Sequence, residues 1–192
     1  SNLSINFFGL NAERNSIGFR SNRVDQIDPL SERDLIKGDF NNYGFESRIL
    51  HNYNFLKKKS IFLFGIKYYK SNNTSIQGPG TNGSGPNFDF QFQDYPYYNN
   101  QSNYKYPNTN VSLFTENIFY ISDKISLTPG IRFENIRTES DGYYSQINFD
   151  NAGNVIFDNT VFENKIRKRS FLLFGLGGSY KPNKYIELYM II

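Results

Sequence analysis

Apolar and polar residues alternate strictly along residues 124–136, KISLTPGIRFENI. Ile131 and Phe133 share one parity, whereas Arg132 and Glu134 share the other. A period of two residues is typical of a β-strand with one face toward an apolar environment and one toward a polar environment. The pattern therefore predicts a strand, and it leaves open which solvent lies on each side.

The same alternation recurs along the chain, and the connections between these segments are alternately short and long. Strands are predicted at about 3–10, 43–55, 60–69, 111–121, 124–136, 169–180 and 185–192. The phase of 111–121 is ambiguous, because Glu116 shares its parity with Phe114 and Ile118. Short turns are predicted at about 55–60, 121–124 and 181–184, and long loops at about 11–41, 71–107 and 138–166.

Strand length and connection length together favour a membrane environment. Several predicted strands reach the roughly 9–11 residues that cross a bilayer at a tilt. Short turns at one end and long loops at the other are typical of transmembrane β-barrels. Leu127, Ile131 and Phe133 are then predicted to face lipid, and Arg132 and Glu134 a wet lumen. A soluble β-sandwich is the alternative, although its strands are normally shorter and its loops more even.

Composition agrees with a barrel wall and excludes other classes. The chain is 18% aromatic but has a mean hydropathy of −0.58, and it contains no cysteine. No apolar run approaches the roughly 18 residues of a membrane helix. The net charge of +3 is too small and too dispersed for a nucleic-acid partner. An odd strand number and an end within a strand predict a piece of a larger barrel, because an open edge is not tolerated in lipid.

Catalytic chemistry has little support in the sequence. The single histidine, His51, has the parity of Ile49 and Tyr53, and we favour an aromatic substitute at the membrane interface over a metal or haem ligand. One histidine supports no Ser-His-Asp set. Residues 78–85, GPGTNGSG, lack the Lys-Ser/Thr of a phosphate loop. The sequence therefore predicts a protein that is not an enzyme and holds no cofactor.

Cations on the parity predicted to face the lumen are the candidate ligand-binding residues. They are Arg48, Lys67, Arg132 and Arg169. Glu46 and Glu134 share that parity, so one interpretation is an ion-pair network that fixes the strand register or contacts a plug. The other is an anion-attracting wall. That interpretation predicts that neutralising Arg48 and Arg132 together weakens binding of an anion by about 1–3 kcal/mol.

Residues 110–136, NVSLFTENIFYISDKISLTPGIRFENI, resemble paired barrel strands of TonB-dependent outer-membrane receptors. The resembling features are an (F/Y)xEN strand, a short SDK turn and an LTPGxRxE strand. Further segments extend the resemblance over most of the chain, at 8–19, 44–50, 89–92, 150–155 and 175–189. Among these receptors the chain resembles those of the ferric-dicitrate type.

The resemblance implies an all-β, antiparallel up-and-down transmembrane β-barrel of 22 strands around a plug domain. Residues 1–192 would form about seven of its strands, with no counterpart of the plug, the TonB box or the closing strand. The long loops would be extracellular and the short turns periplasmic. The implied location is the outer membrane of a Gram-negative bacterium, in a bilayer that contains lipopolysaccharide.

The resemblance also implies TonB-driven uptake of a ferric chelate, foremost ferric citrate, with iron present only as cargo. The TonB complex would act through the missing plug. Two alternatives remain open. Loops rich in Tyr and Asn also suit a transporter of glycans or another nutrient, and the pattern alone permits a non-transporting structural or adhesive β-protein.

Overall fold

The structure is a computed structural model that describes residues 1–19, 21 and 23–192. These residues form seven strands. They are β1 (Asn2–Gly18), β2 (Glu32–Phe55), β3 (Lys58–Asn82), β4 (Ser102–Tyr120), β5 (Ile125–Phe149), β6 (Val155–Asn183) and β7 (Ile186–Ile191). Among the described residues, no helix is long and apolar enough to span a membrane.

All seven strands belong to one sheet, and their order in the sheet is their order in the chain. Every neighbouring pair is antiparallel. A β-sandwich needs two sheets packed face to face, which the described residues do not form. The prediction of an all-β, up-and-down antiparallel barrel wall of about seven strands is therefore confirmed.

The strands are longer than the alternating pattern predicts. β5 and β6 contain 25 and 29 residues, and they pair almost without interruption. The long connections are reduced to residues 19–31, 83–101 and 150–154. The predicted loops at about 11–41, 71–107 and 138–166 are therefore wrong in extent. The alternation fades there because both faces of the sheet carry polar residues, although the backbone pairing continues.

Two of the three short connections lie within the ranges that the sequence predicts, and the third, 184–185, extends one residue beyond the predicted 181–184. Leu56 and Lys57 join β2 to β3 with φ angles of 49° and 63°. Two successive left-handed residues form the type I′ turn, whose twist matches that of the flanking strands. The other short connections are 121–124 and 184–185. Their periplasmic position, like the extracellular position of the long connections, stays a prediction.

The register sorts the side chains onto two faces of the sheet. Ile131 of β5 lies opposite Phe174 of β6, and the face that carries them is called the outer face. Arg132 and Glu134 lie on the other side, which is called the inner face. Phe174 is 76% exposed, whereas Glu134 is 6% exposed. The sheet therefore leaves large apolar side chains uncovered on one face, and lipid is the solvent that fits them.

The apolar stretch on the outer face has the length of a tilted transmembrane strand. It extends over residues 111–119 of β4, 125–133 of β5 and 172–180 of β6. Each range contains about nine residues, the number that crosses the hydrocarbon core at a tilt. The apolar band is formed by Ile49, Phe62, Phe64, Ile66, Val111, Leu113, Phe119, Leu127, Ile131, Phe133, Leu172, Phe174 and Leu176.

We expect Ile131→Arg to destabilise the intact protein in lipid by roughly 2–4 kcal/mol, because it places a charge within the apolar band. The control is Gly130→Ala on the inner face. A Cβ at Gly130 would lie 3.0 Å from Cγ of Glu116, a flexible side chain that can move. Unfolding from lipid vesicles in denaturant measures both effects. A larger loss for Gly130→Ala would show that the two faces are assigned the wrong way round.

Candidate functional site

The register places all four candidate cations on the inner face. Arg48 and Arg132 belong to one row of paired positions, which also contains Gly65 and Phe114. Lys67 belongs to the next row, with Glu46, Ser112 and Glu134. Arg169 lies one row further along the strands, opposite Ile136. The sheet thus brings three candidates together and leaves Arg169 outside their cluster.

Each of the three clustered cations has a carboxylate partner. Nη2 of Arg48 contacts Oε1 of Glu46, and Nζ of Lys67 lies 3.9 Å from the other oxygen of Glu46. Nε of Arg132 donates to Oε1 of Glu134. The hydroxyl of Ser112 donates to Oε2 of Glu134 at 2.7 Å and accepts a hydrogen bond from Nη2 of Arg132 at 3.0 Å.

Two glycines make room for aromatic rings beside these cations. The ring centroid of Phe114 lies 5.9 Å from Cζ of Arg48 and 5.5 Å from Cζ of Arg132. A Cβ at Gly65 would come within 2.2 Å of this ring. Similarly, Lys67 lies 5.5 Å from the Phe8 ring centroid, and that ring covers Gly44. Cation–π contacts thus add to the ion pairs and fix the directions of the cationic side chains.

A cavity of about 410 Å³ opens between these side chains, and Arg48, Phe114, Glu116 and Arg132 contribute to its wall. The charges on its wall cancel, because Glu46 and Glu116 accompany Arg48 and Arg132. A small anion would have to compete with carboxylates that are already bound. The arrangement therefore fits the ion-pair network that fixes the strand register better than an anion-attracting wall.

Arg169 differs from the other candidates because, within the described part of the chain, it has no carboxylate at salt-bridge distance. The same holds for Arg167, which is two residues earlier and therefore on the same face of β6. Both are exposed. The next inner-face cation, Lys165, bonds Glu163 at 2.7 Å. Sequence reasoning missed Arg167, although its parity with Arg169 in KIRKRS was a usable signal.

A second cluster, also missed from the sequence, lies at the end of the sheet with the long connections. The buried Arg33 side chain donates to both carboxylate oxygens of Asp28, at 2.6 and 2.8 Å. Its Nε also donates to the carbonyl of Gly83 at 3.2 Å, and its guanidinium lies 6.0 Å from the Phe19 ring centroid. Arg33 thereby holds the β1–β2 connection against the start of the β3–β4 connection.

The residue after Arg33 helps to form a polar cavity of about 440 Å³. Asp34 accepts a hydrogen bond from Nε2 of Gln77 at 2.9 Å and another from the Tyr98 hydroxyl at 3.0 Å. Burial, and after it the Asp34 carboxylate, raises the pKa of Tyr98 above its ordinary value. Phe19 and Asn100 also line this cavity. Carboxylate, amide, hydroxyl and ring groups together suit a polyhydroxylated ligand.

His51 lies on the outer face, opposite Phe62. Its ring stacks on Tyr53 with the centroids 6.2 Å apart, and its Nδ1 lies 2.6 Å from the hydroxyl of Ser1. Residues 1–19, 21 and 23–192 contain no group of three or more metal-ligating side chains. A place among outer-face aromatics agrees with the interpretation of His51 as an aromatic substitute.

We expect the β1–β2 connection to loosen as the pH falls. The hydrogen bonds from Arg33, and then from the Leu30 amide, hold the pKa of Asp28 below its ordinary value. Asp28 therefore contributes stability above its unfolded pKa of about 4, and that stability is lost as the pH falls through the lower, folded pKa. Hydrogen exchange at the amides of Leu30 and Gly83, corrected for the intrinsic pH effect, measures the loss.

Arg33→Gln is the control for this pH effect. Without the guanidinium, both amides should exchange faster at neutral pH, and the additional step below about pH 4 should largely disappear. Equal protection of Leu30 in the two proteins at neutral pH would contradict the assigned role of Arg33.

Comparison with known proteins places these features in a family. The family model described as TonB dependent receptor-like, beta-barrel matches residues 2–190. No curated protein and no solved structure matches the chain. The match covers β1 to β6 and all of β7 but its last residue, and it agrees with the antiparallel order and the exposed apolar face. The chain belongs to the TonB-dependent receptor-like β-barrel family.

Proposed function

We propose that the intact protein is an outer-membrane transporter that takes up a ferric chelate, foremost ferric citrate, with energy from TonB. Membership of the family supports TonB-dependent transport across the outer membrane in general, and proteins of this family are transporters rather than enzymes. The choice of a ferric chelate as the cargo goes beyond what membership of the family supports. Iron enters it only as cargo, and the protein needs no resident cofactor for this function.

One observation carries the assignment of an anionic ligand. Arg167 and Arg169 project from the same face of β6, the face that in a barrel lines the lumen, and they have no carboxylate partner within the described residues. Their Cα atoms are two residues apart, which is roughly 6.5–7 Å along a strand. Two guanidinium groups at this spacing can hold separate carboxylates of one polycarboxylate ligand through charge-assisted bonds.

The clustered cations have a different role in this proposal. Arg48, Lys67 and Arg132 contact Glu46 or Glu134, so their positive charge is largely compensated before any ligand arrives. They keep the wall of the lumen rigid between β2 and β5. Of the four candidates named from the sequence, Arg169 is therefore the one that we assign to the ligand, together with Arg167.

In the cell, the intact barrel would lie in the outer membrane of a Gram-negative bacterium, with its apolar band in the bilayer. The TonB complex would act on a plug domain inside the barrel. The long connections would face the medium and meet the chelate first. These placements follow from the family and from the two faces of the sheet, and they are part of the proposal.

A glycan is the second candidate ligand, because of the polar cavity beside Arg33. That cavity is lined by Glu32, Asp34, Gln77 and Asn100 with the rings of Phe19 and Tyr98, and no cation is among the described residues that line it. Such a wall suits the hydroxyl groups and apolar faces of a neutral sugar better than a polycarboxylate. A glycan transporter would use this cavity and not the arginines of β6.

We expect Arg167→Gln/Arg169→Gln to weaken binding of ferric citrate to the intact receptor by about 1–3 kcal/mol, since two charge-assisted bonds are lost. Arg48→Gln/Arg132→Gln removes the same charge from the ion-paired cluster and should reduce affinity less. Its main effect should be a lower stability of the barrel, because Glu46 and Glu134 lose their partners. Equilibrium binding and thermal unfolding of the purified receptor measure the two effects.

Haem and a neutral oligosaccharide are measured in parallel as competing ligands. Unchanged affinity for ferric citrate in the Arg167→Gln/Arg169→Gln protein would remove these arginines from the site. Tighter binding of the oligosaccharide than of either iron compound would overturn the choice of ligand. An equal loss in both double variants would indicate a general effect of lumen charge and not a contact at β6.

A further inference from the structure

Four residues at the end of the sheet with the long connections close a ring of hydrogen bonds, which is called the Arg33 clip. Oδ1 of Asp28 accepts from the Arg33 guanidinium at 2.6 Å and from the Leu30 amide at 2.8 Å. The Leu30 carbonyl accepts from the Gly83 amide at 3.2 Å, and the Gly83 carbonyl accepts from Nη2 of Arg33 at 2.5 Å. Both backbone groups of Gly83 are therefore held by the clip.

The residue before Gly83 is chemically labile. Asn82 is the last residue of β3, and with Gly83 it forms the single Asn-Gly pair of the sequence. Asparagine is a thermolabile residue, and it deamidates most readily before glycine, because glycine has no side chain to hinder attack by its backbone nitrogen. Asn82 is exposed, and a Cβ added at Gly83 would have no described atom within 4 Å apart from its chain neighbours. Sterically, the pair is therefore open to this reaction.

Deamidation uses the Gly83 nitrogen as the nucleophile. After it loses its proton, this nitrogen forms a bond to Cγ of Asn82, and the side-chain amide leaves as ammonia. Water then opens the resulting succinimide ring and leaves aspartate or isoaspartate at position 82. In the closed clip the N–H of Gly83 donates to the carbonyl of Leu30 instead, so its proton is held. The clip therefore protects Asn82.

The backbone around Asn82 also opposes the reaction while the clip is closed. Asn82 has the extended backbone of a strand, and ring closure requires rotation about its ψ angle. Oγ1 of Thr81 accepts from the Asn87 amide at 2.8 Å, which closes the turn around Asn82 and Gly83. Rotation about ψ would carry the N–H of Gly83 away from Leu30. The clip must consequently open before the succinimide can form.

We propose that Asn82 is a site of spontaneous deamidation and that the Arg33 clip sets the rate of this modification. Segments of a folded protein open locally at a free-energy cost that differs from place to place, and a reaction of the open form depends on its population. Every interaction that keeps the clip closed therefore slows the conversion of Asn82. The modification depends on no cargo, so it does not rest on the proposed transport of a ferric chelate.

The product would keep the clip from closing again. Asn82 lies opposite Glu32 in the register of β2 and β3, and like charges directly opposite each other destabilise a sheet. Isoaspartate also adds one atom to the backbone before Gly83, which displaces the carbonyl that Arg33 binds. Deamidation would thus act as a one-way switch that releases the β1–β2 connection from the β3–β4 connection.

The switch would also change the charge of a surface near the long connections. Glu32 and Asp34 line the polar cavity of about 440 Å³ described above. A new carboxylate opposite Glu32 adds to the negative charge at this end of the wall. An approaching anion would then be repelled more strongly than before the modification.

Two substitutions open the clip from opposite sides. Arg33→Gln removes the guanidinium, and Asp28→Asn removes the charge that holds it. Lys37→Gln is the matched control, because it removes a cation from the same strand without touching the clip. The Lys37 side chain contacts the Phe90 ring, with Nζ 5.4 Å from the centroid.

The measurement is made on the intact receptor in neutral detergent at mildly alkaline pH, at which Asp28 is ionised. The solvent is water enriched in heavy oxygen, because opening of a succinimide places one solvent oxygen in the product. Peptide mass spectrometry gives the converted fraction of Asn82. Asp141-Gly142 can form the same succinimide with loss of water, and it lies within the ladder of β4, β5 and β6. It is therefore the internal reference for general opening of the sheet.

We expect Arg33→Gln and Asp28→Asn each to accelerate the conversion of Asn82 by about 10-fold to 100-fold, because charge-assisted hydrogen bonds of the clip are lost. The unmodified receptor and Lys37→Gln should convert at the same rate, far more slowly than the chain unfolded in denaturant. Asp141-Gly142 should stay intact in every folded protein. Asn82→Asp should exchange the Gly83 amide hydrogen faster than the unmodified receptor does.

Equal conversion of Asn82 in Arg33→Gln and in the unmodified receptor would overturn the proposal. So would conversion in the folded, unmodified receptor as fast as in the unfolded chain. Parallel increases at Asn82 and at Asp141-Gly142 would assign the effect to loss of the fold, and they too would overturn the role of the clip. Unchanged protection of the Gly83 amide in Asn82→Asp would refute the one-way switch.

Discussion

Every backbone N–H and C=O group of a membrane-spanning segment must find its partner within the protein, because hydrocarbon offers none. In this chain the neighbouring strands provide these partners. β5 and β6 pair from Ile125 with Tyr180 to Phe149 with Val155, with one irregularity near Asn148. Because the backbone groups of these strands are paired with one another, the backbone can lie in hydrocarbon as well as in water. Side chains alone then decide which solvent each face meets.

Charged side chains are arranged differently on the two faces of the sheet. On the outer face, charged groups are excluded from the apolar band and reappear at its edge. On the inner face, charges lie at the level of the band, and most of them are held by partners: Arg132 bonds Glu134 and Ser112, and Arg48 contacts Glu46. A buried or half-buried charge without such partners would be expensive. This makes the unpartnered arginines of β6 conspicuous, since they lie on the same face.

The sequence predicts the part of the fold in which the two faces meet different solvents. Ile131 and Arg132 already differ there by parity, and pairing with Phe174 and Phe114 confirms the division. Beyond the apolar band both faces carry polar residues, so strand and loop look alike in the sequence, and the predicted loop includes residues 155–166 of β6. The phase of β4 was ambiguous for another reason. Phe114 is an apolar residue on the inner face, and it fits there because it covers Gly65 of the next strand.

The contacts of the candidate site could also be predicted only in part from the sequence. Parity alone placed Arg48, Lys67, Arg132 and Arg169 on one face. Glu46 and Glu134, which pair with Arg48 and Arg132, lie two residues away on the same strand, so parity indicates these partners as well. The contacts that could not be predicted depend on the register between strands that are far apart in the chain. Arg33 is an example, because its contact with Gly83 joins residues that are 50 positions apart.

In the segment KIRKRS of β6, successive cations lie on opposite faces of the sheet because side chains alternate along a strand. Arg167 and Arg169 project from the inner face, and Lys168 between them projects from the outer face. The three cations are consecutive in sequence but lie on opposite faces of the sheet, so the two sets have different surroundings. A substitution at 167 or 169 alters the lumen, whereas one at 168 alters the surface toward lipid. A basic run that composition would describe as one charged patch is, on a strand, two separate surfaces.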